Sequence, residues 1–365
     1  MLFFLFSTSD CNLRCTYCGN RPIEDLMPAK PTVSIDSLTR FIKTSPDNEN
    51  TIVFYGGEPL LNTSFVRSVM DTMTTRFVLQ TNGTLLHKLD TPYLSRLDAI
   101  LVSIDGIKDV VDQWRGNFTY DKVMKQVLSL RSRGFTGDLI ARMTISKDAD
   151  IYRDVMHLLD HSAGFDHIHW QIDCQWDSPM EEIRPDFKEW VEEYNKGITR
   201  LMEVWIERMK KGVVCGIVPF LGIVRTLLTN VDYSTVGLQC GIGHSSFTIG
   251  TRGNVLGCPV SWEDDWNMIG MIDQLDCNQL REKLHLSEPC TSCADLPVCG
   301  GRCLYANKTK WWGMEGFDMV CSTVRHLISE CKRVLPVIND LIEQGVVSEE
   351  VFHYDACNNS MEVIP

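Results

Sequence analysis

Short apolar runs with strand character punctuate the first half of the chain: "LFFLFS" (2–7), "TIVFY" (51–55), "FVLQTN" (77–82), "AILVSID" (99–105), "LIARMTIS" (139–146) and "HIHWQID" (167–173). Between them the apolar positions fall at helical spacing. In 34–43, for example, Ser34 can cap a helix whose face is Ile35, Leu38, Phe41 and Ile42. Six strands alternating with helices predict a parallel sheet, curved or closed into a partial (β/α)6 TIM-like barrel. A long helix follows, opened by Pro185 and striped by Phe187, Trp190, Tyr194, Ile198, Leu201 and Trp205. That stripe reads as core packing. After about residue 236 the chain turns to Gly, Cys and short segments. A last helical pattern at 318–342 is interrupted by Pro336, and the tail from 346 reads as loosely held. The expected divisions are 1–180 (barrel), 181–235 (helical connector), 236–345 (Cys-rich domain) and 346–365 (tail).

Composition narrows the class. A chain of 365 residues can bury a substantial core, and 44% hydrophobic with 23% charged residues is ordinary for a globular protein. A net charge of −13 argues against general nucleic-acid binding, which needs a basic stripe to replace counterions on phosphates. The opening "MLFFLF" lacks a basic flank and runs straight into "STSDC", so it reads as a buried strand, not a signal sequence. No apolar run approaches the roughly 18 residues of a membrane span. A cytoplasmic location is expected, and there fifteen cysteines point to metal rather than to disulfides.

The cysteines form two constellations. "CNLRCTYC" sets Cys11, Cys15 and Cys18 at C-x3-C-x2-C in the loop leaving the first strand. Three thiolates can hold three irons of a 4Fe–4S cluster and leave the fourth iron open for chemistry. The competing reading, unrelated thiols or part of a zinc site, lacks a fourth ligand. This loop resembles the signature of the radical SAM superfamily, with the aromatic Tyr17 before its last cysteine. "YGGEP" (55–59), "LQTNGTLL" (79–86) and "LVSIDG" (101–106) end the second, third and fourth strands in that family's manner. The resemblance implies that Gly56, Gly57 and Glu58 bind the methionyl amine of S-adenosylmethionine. It also implies that Gln80 and Asn82 line the cofactor cleft and that Ser103 contacts the ribose or carboxylate. By the same likeness "WRGNFTYDKVMKQV" makes Arg115 a candidate for the carboxylate, against the alternative of an ordinary surface arginine. The implied reaction is reductive cleavage of S-adenosylmethionine to a 5′-deoxyadenosyl radical, which takes a hydrogen atom from substrate while the protein orients the reactants.

The second constellation is Cys240-x12-Gly253-x4-Cys258, then Cys290-x2-Cys293-x5-Cys299-x3-Cys303, then Cys321 after a gap. It resembles the SPASM domain of peptide- and protein-modifying radical SAM enzymes, among them sulfatase maturases. By that likeness Cys290, Cys293, Cys299 and Cys321 close a distal 4Fe–4S cluster, while Cys303 crosses to join Cys240 and Cys258 at a nearer one. A double zinc module is the structural alternative. Seven ligands divide as four plus three, so the nearer cluster has either an open iron or a remote ligand. Cys215 is the nearest upstream thiol. Sulfatase maturases carry a proton-accepting aspartate after the second cysteine, where this chain has Pro259. Asp173, sharing a strand face with His167, His169 and Gln171, could act as base instead, or that face could simply be solvated or packed. Cys174, at the expected mouth of strand six, could return a hydrogen atom to a substrate radical. The remaining thiols Cys215, Cys277, Cys331 and Cys357 read as small apolar residues.

The expectation is a radical SAM/SPASM enzyme with S-adenosylmethionine, three 4Fe–4S clusters, and a peptide or protein substrate. The modification is open among cross-linking, thioether formation, dehydrogenation and epimerisation, with sulfatase maturation as the alternative. The non-catalytic alternative is an electron carrier or zinc scaffold. The partner implied by the resemblance is an external electron donor such as flavodoxin or ferredoxin. Only ten residues precede Cys11, so either a separate protein recognises a substrate leader, or the substrate is a short sequence in an unfolded or larger protein. No nucleic acid and no membrane are expected as partners.

Overall fold

The structure, a computed structural model, describes residues 1–18, 24–173, 180–281, 283–310 and 312–354. Its strands follow the apolar runs: β1 Leu2–Thr8, β2 Thr51–Gly56, β3 Arg76–Thr81, β4 Ala99–Ser103, β5 Asp138–Ile145 and β6 His167–Ile172. All seven residues of β1 are buried, as expected of a parallel strand covered on both faces. The chain forms two compact units, each discontinuous in sequence.

The first unit comprises Met1–Ile104, Val111–Ile140 and Gly241–His285. Here β1 pairs in parallel with β2 from Leu2↔Thr51 onward, and the register shifts between Phe6 and Thr8, where the chain leaves the sheet. Such an irregularity bends the strand end and re-aims the first cysteine loop that continues from it. β3 and β4 extend the parallel sheet on one side. Three strands that the sequence pattern did not announce extend it on the other: β7 Ser246–Ile249, β8 Asn254–Leu256 and β9 Met268–Met271. β7 runs parallel to β1, and β8 and β9 return antiparallel. The helix Ile35–Lys43 is capped by Ser34 Oγ, which accepts from Ser37 N at 3.0 Å. Its buried residues Leu38, Phe41 and Ile42 lie on the face that the spacing predicts, with the Phe41 ring edge-on to Phe3.

The second unit comprises Asp105–Val110, Ala141–Cys240 and the chain from Leu286 onward. Its β6 alternates only in part, because His169, which the pattern sets on the face of His167 and Gln171, is fully buried as well. Ile168, Trp170 and Ile172 are buried, with Trp170 edge-on to Phe220 and donating to Tyr194 Oη at 2.8 Å. The helix Phe187–Met209 packs against the helix Gly313–Glu343. Pro336 does not interrupt the latter, contrary to the sequence expectation. A mid-helix proline forfeits one backbone bond. Here Val334, Ile338 and Leu341 stay buried on either side of it, and this packing carries the helix through.

Residues 346–354 also correct the expectation of a loose tail. Val347 and Phe352 are buried, and the Phe352 ring meets Trp205 at 6.2 Å. Among the described residues, no helix is long and apolar enough to cross a membrane. Because Phe352 is fully buried, F352A is expected to cost about 3–5 kcal/mol in urea unfolding followed by circular dichroism. A loss below about 1 kcal/mol would show that the segment is dispensable.

Candidate functional site

The first cysteine loop is fastened by backbone. Gly57 N donates to Thr8 O at 3.0 Å and Glu58 N donates to Asp10 O at 2.8 Å, so the ends of β1 and β2 hold each other. A Cβ on Gly56 would lie 2.1 Å from Thr8 O, and one on Gly57 would lie 2.2 Å from Asp10 O. No side chain fits either place. The glycine pair that the sequence assigns to ligand approach is therefore required already by the approach of the two loops.

Glu58 is fully buried, and its carboxyl accepts from Leu60 N (3.1 Å), Asn82 N (2.8 Å) and Thr81 Oγ1 (2.8 Å). Burial raises its pKa, opposed by these donors. The side chain thus splices the ends of β2 and β3, while the Glu58 backbone is engaged as well, its N–H by Asp10 O and its carbonyl by Leu61 N. Asn82 is similarly engaged. Its Nδ2 donates to Asn12 Oδ1 at 2.9 Å and contacts Cys11 Sγ at 3.8 Å, and its Oδ1 accepts from Thr84 N and Oγ1. Asn12 Nδ2 donates in turn to Thr84 Oγ1 at 2.9 Å. Asn12 and Thr84, which lie inside the motifs but were not singled out there, close a ring of side chains that ties the cysteine loop to the end of β3.

Tyr17 stacks on Trp114 at 5.8 Å and lies under the Arg115 guanidinium at 5.4 Å, while Thr16 N donates to Trp114 O at 2.8 Å. Arg115 is buried, which removes the reading of an ordinary surface arginine. Cys11 and Cys15 are half-buried and Cys18 exposed. Burial raises the Cys11 thiol pKa against the Leu13 amide, and the Glu58 carboxyl and Cys18 raise it further. Among the described residues, the buried side-chain oxygen of Gln80 has no hydrogen-bond partner, and neither does the indole nitrogen of Trp114. Such orphaned groups fit a polar ligand. Ser103 is half-buried at the end of β4.

In the second unit Asp173 is buried at the end of β6. Its N donates to Ile145 O at 3.0 Å and its carbonyl accepts from Arg184 Nη1 at 3.1 Å. Arg184, 2% exposed, lies over the rings of Trp190 (4.4 Å) and Phe187 (5.1 Å). Asp105 likewise serves structure, its Oδ1 accepting from Thr144 N at 2.8 Å. Cys174 lies outside the described residues. Cys215 sits by the opposite end of β6, whose Ile168 pairs with Ile217, and its thiol accepts from Arg208 at 3.7 Å.

Four of the later cysteines share one cavity. Cys290, Cys293, Cys299 and Cys321 line it together with Arg302 and Arg325. The turn Cys290–Ser292, the short helix Leu296–Cys299 and the helix Gly313–Glu343 bring them there. Burial raises the thiols of Cys290 and Cys321 and pushes that of Cys299 from 9.0 up to about 12, while Arg302 pulls all three down. Cys303 is not among the lining residues, although it ends the same sequence run. It caps the helix Leu304–Thr309, its sulfur accepting from Ala306 N at 3.5 Å. Among the described residues no three His, Cys, Asp or Glu side chains gather tightly enough for a single ion. Four thiols lining one cavity suit a polynuclear cluster. Cys240 and Cys258 are both buried. Cys258 N donates to Asn267 Oδ1 at 2.7 Å and its carbonyl accepts from Asn267 Nδ2 at 2.8 Å, a clamp that no sequence signal marked.

Known proteins share this fold. Residues 5–159 match the family model of the radical SAM superfamily. The chain is 23% identical over 336 residues to a cysteine-type anaerobic sulfatase-maturating enzyme of Clostridium perfringens, covering 83% of this chain and 88% of that one. The solved structure of native anSMEcpe with bound AdoMet aligns at a TM-score of 0.72 and 18% identity, covering 94% of this chain and all (100%) of the other. SuiB of Streptococcus suis bound to its precursor peptide SuiA aligns at 0.51 and 16%, covering 84% and 72%. At such identities the likeness establishes the fold, which is a partial barrel of parallel strands with a Cys-rich C-terminal region.

Removing the Glu58 carboxyl strands three buried donors, each costing about 1–3 kcal/mol. E58A is therefore expected to lose at least about 3 kcal/mol of unfolding free energy, and E58Q less; an unchanged urea midpoint in E58A would contradict the splice. Because Cys290, Cys299 and Cys321 are held protonated above their ordinary range, ligation at neutral pH must displace their protons. Iron uptake by the anaerobic protein is expected to strengthen steadily from about pH 7 to 9. A plateau already at the lower end would show thiolates formed beforehand.

Proposed function

We propose, on the premise that residues 5–159 form a radical SAM domain and that the chain is an enzyme of that family, that it abstracts hydrogen from a residue of a peptide or protein and thereby modifies it. The observation that carries this reading is the pairing of a cysteine loop locked to the ends of β2 and β3 with a separate cavity lined by four thiols. S-adenosylmethionine and 4Fe–4S clusters are the cofactors. When bound, they supply one-electron chemistry that ends in removal of a substrate hydrogen atom.

Cys11, Cys15 and Cys18 are assigned to the first cluster. Cys290, Cys293, Cys299 and Cys321 are assigned to the distal auxiliary cluster, and Cys240, Cys258 and Cys303 to the nearer one. Toward S-adenosylmethionine, Gln80 offers its unpaired oxygen and Gly56–Glu58 their backbone, with Ser103 beside them. Asn82 acts by holding Asn12 and Cys11 in place. Arg115, drawn over Tyr17, steadies the loop from its other side and brings positive charge to the expected carboxylate. Asp173 is the proposed base, on a strand end that Arg184 holds rigid, and Cys174 is the proposed hydrogen donor.

A peptide substrate is supported by SuiB, which has been captured with its precursor peptide. Sulfatase maturation is the second reading, favoured by the alignment with the Clostridium perfringens enzyme along 88% of its length. Pro259, where such enzymes carry an aspartate, weighs against it. A flavodoxin or ferredoxin as electron donor, a separate leader-binding protein and a cytoplasmic location complete the proposal.

Anaerobic reconstitution is expected to give about twelve irons per chain, three clusters of four; about four would remove the auxiliary clusters from the reading. C15A should abolish 5′-deoxyadenosine formation, while C293A should retain uncoupled cleavage of S-adenosylmethionine. Wild-type turnover in C15A would refute the first-cluster assignment. Incubation with a cysteine- or serine-containing sulfatase peptide separates the two functional readings by mass spectrometry: an aldehyde product supports maturation, and an unmodified peptide supports another substrate.

A further inference from the structure

We infer that Arg302 is a positioning residue for the distal auxiliary centre, placing a buried guanidinium in the cavity of its cysteines and raising the reduction potential of the cluster they bind. The inference rests on the assignment of Cys290, Cys293, Cys299 and Cys321 to one 4Fe–4S cluster.

Arg302 is the unexpected residue of "CGGRC". Gly300, Gly301 and Arg302 all have positive φ, at 66°, 78° and 55°. The first two positions use glycine, as a left-handed backbone favours, whereas the third carries a long side chain in a conformation such residues rarely adopt. Strain of this kind persists where the surroundings over-determine it, often at a functional site. The side chain is not released to solvent. Arg302 is only 4% exposed and lines the cavity together with all four thiols.

A buried cation needs a counter-charge. Asp295 is the one carboxylate among the residues lining that cavity, and it lies 3.6 Å from Arg325. Among the described residues, the Nη1 atom of Arg302 is buried with no hydrogen-bond partner. Arg302 shares its cavity with the sulfurs of Cys290, Cys293, Cys299 and Cys321, and Arg325 lines the same cavity.

Net charge and hydrogen bonds to sulfur set the potential of an iron–sulfur centre. One-electron reduction by an external donor adds a negative charge to a centre that its thiolates already make negative. A guanidinium in a poorly solvated cavity stabilises that reduced form more than the oxidised one.

The test is a potentiometric titration of the full-length reconstituted protein, followed by electron paramagnetic resonance. The distal signal is identified as the one lost in C293A. At unchanged iron content, R302Q should shift its midpoint negative by at least a tenfold change in the oxidised-to-reduced ratio, about 59 mV for one electron. R325Q should shift it less, because Arg325 is half exposed and shared with Asp295. An unmoved midpoint in a fully loaded R302Q overturns the proposal. Should R302Q fail to assemble the centre, R302K decides: irons recovered by lysine show that charge is the requirement, and their loss in both shows a role in shape alone and overturns it. A wild-type chain from which C293A removes no iron would instead remove the four-thiol assignment itself.

Discussion

Two backbone hydrogen bonds, from Gly57 to Thr8 and from Glu58 to Asp10, set the geometry on which the first cysteine loop depends. They form only because two consecutive residues without Cβ let the exits of β1 and β2 pass at contact distance. Once the exits are joined, Glu58 is driven inward, where it has the donors of β3 to satisfy it. The end of β3 then returns through Asn82 to the loop. The cysteines are thus presented by a closed circuit of hydrogen bonds running from β1 to β2, to β3 and back. The thiols need no contacts with one another to be placed.

The six strands of the first half were legible because each is an apolar run long enough to stand out against helical periodicity. β7, β8 and β9 were not, since three or four residues carry too little pattern to separate strand from loop. Pro336 misled because local propensity is overruled where both flanks of a helix are buried. In the described part of the tail, Val347 and Phe352 are buried between exposed neighbours, a pairing too sparse to show as periodicity.

Cysteine spacing pointed to clusters, but the work of the surrounding residues was hidden. Glu58 and Asn82 belong to recognisable motifs, yet their side chains are spent on holding the loop. Asn12 and Thr84 lie inside the same motifs without a signal of their own, Arg184 and Asn267 lie in none, and their roles arise from contacts that spacing does not reveal. The same holds for the division of "CTSCADLPVCGGRC". Its last cysteine caps a helix while the first three face a cavity shared with Cys321, and spacing alone does not distinguish them.

The position of β1 has a bearing on how the protein is made. This strand, wholly apolar up to Phe6, lies between β2 and β7, yet β7 is synthesised some 240 residues after it. Until then one edge of β1 offers an unpaired row of backbone groups beside a greasy surface, a template for unwanted pairing with another nascent chain. That edge of β1 stays open until Ser246–Ile249 emerges. Fragments that stop short of that strand would lose solubility as well as cysteine ligands.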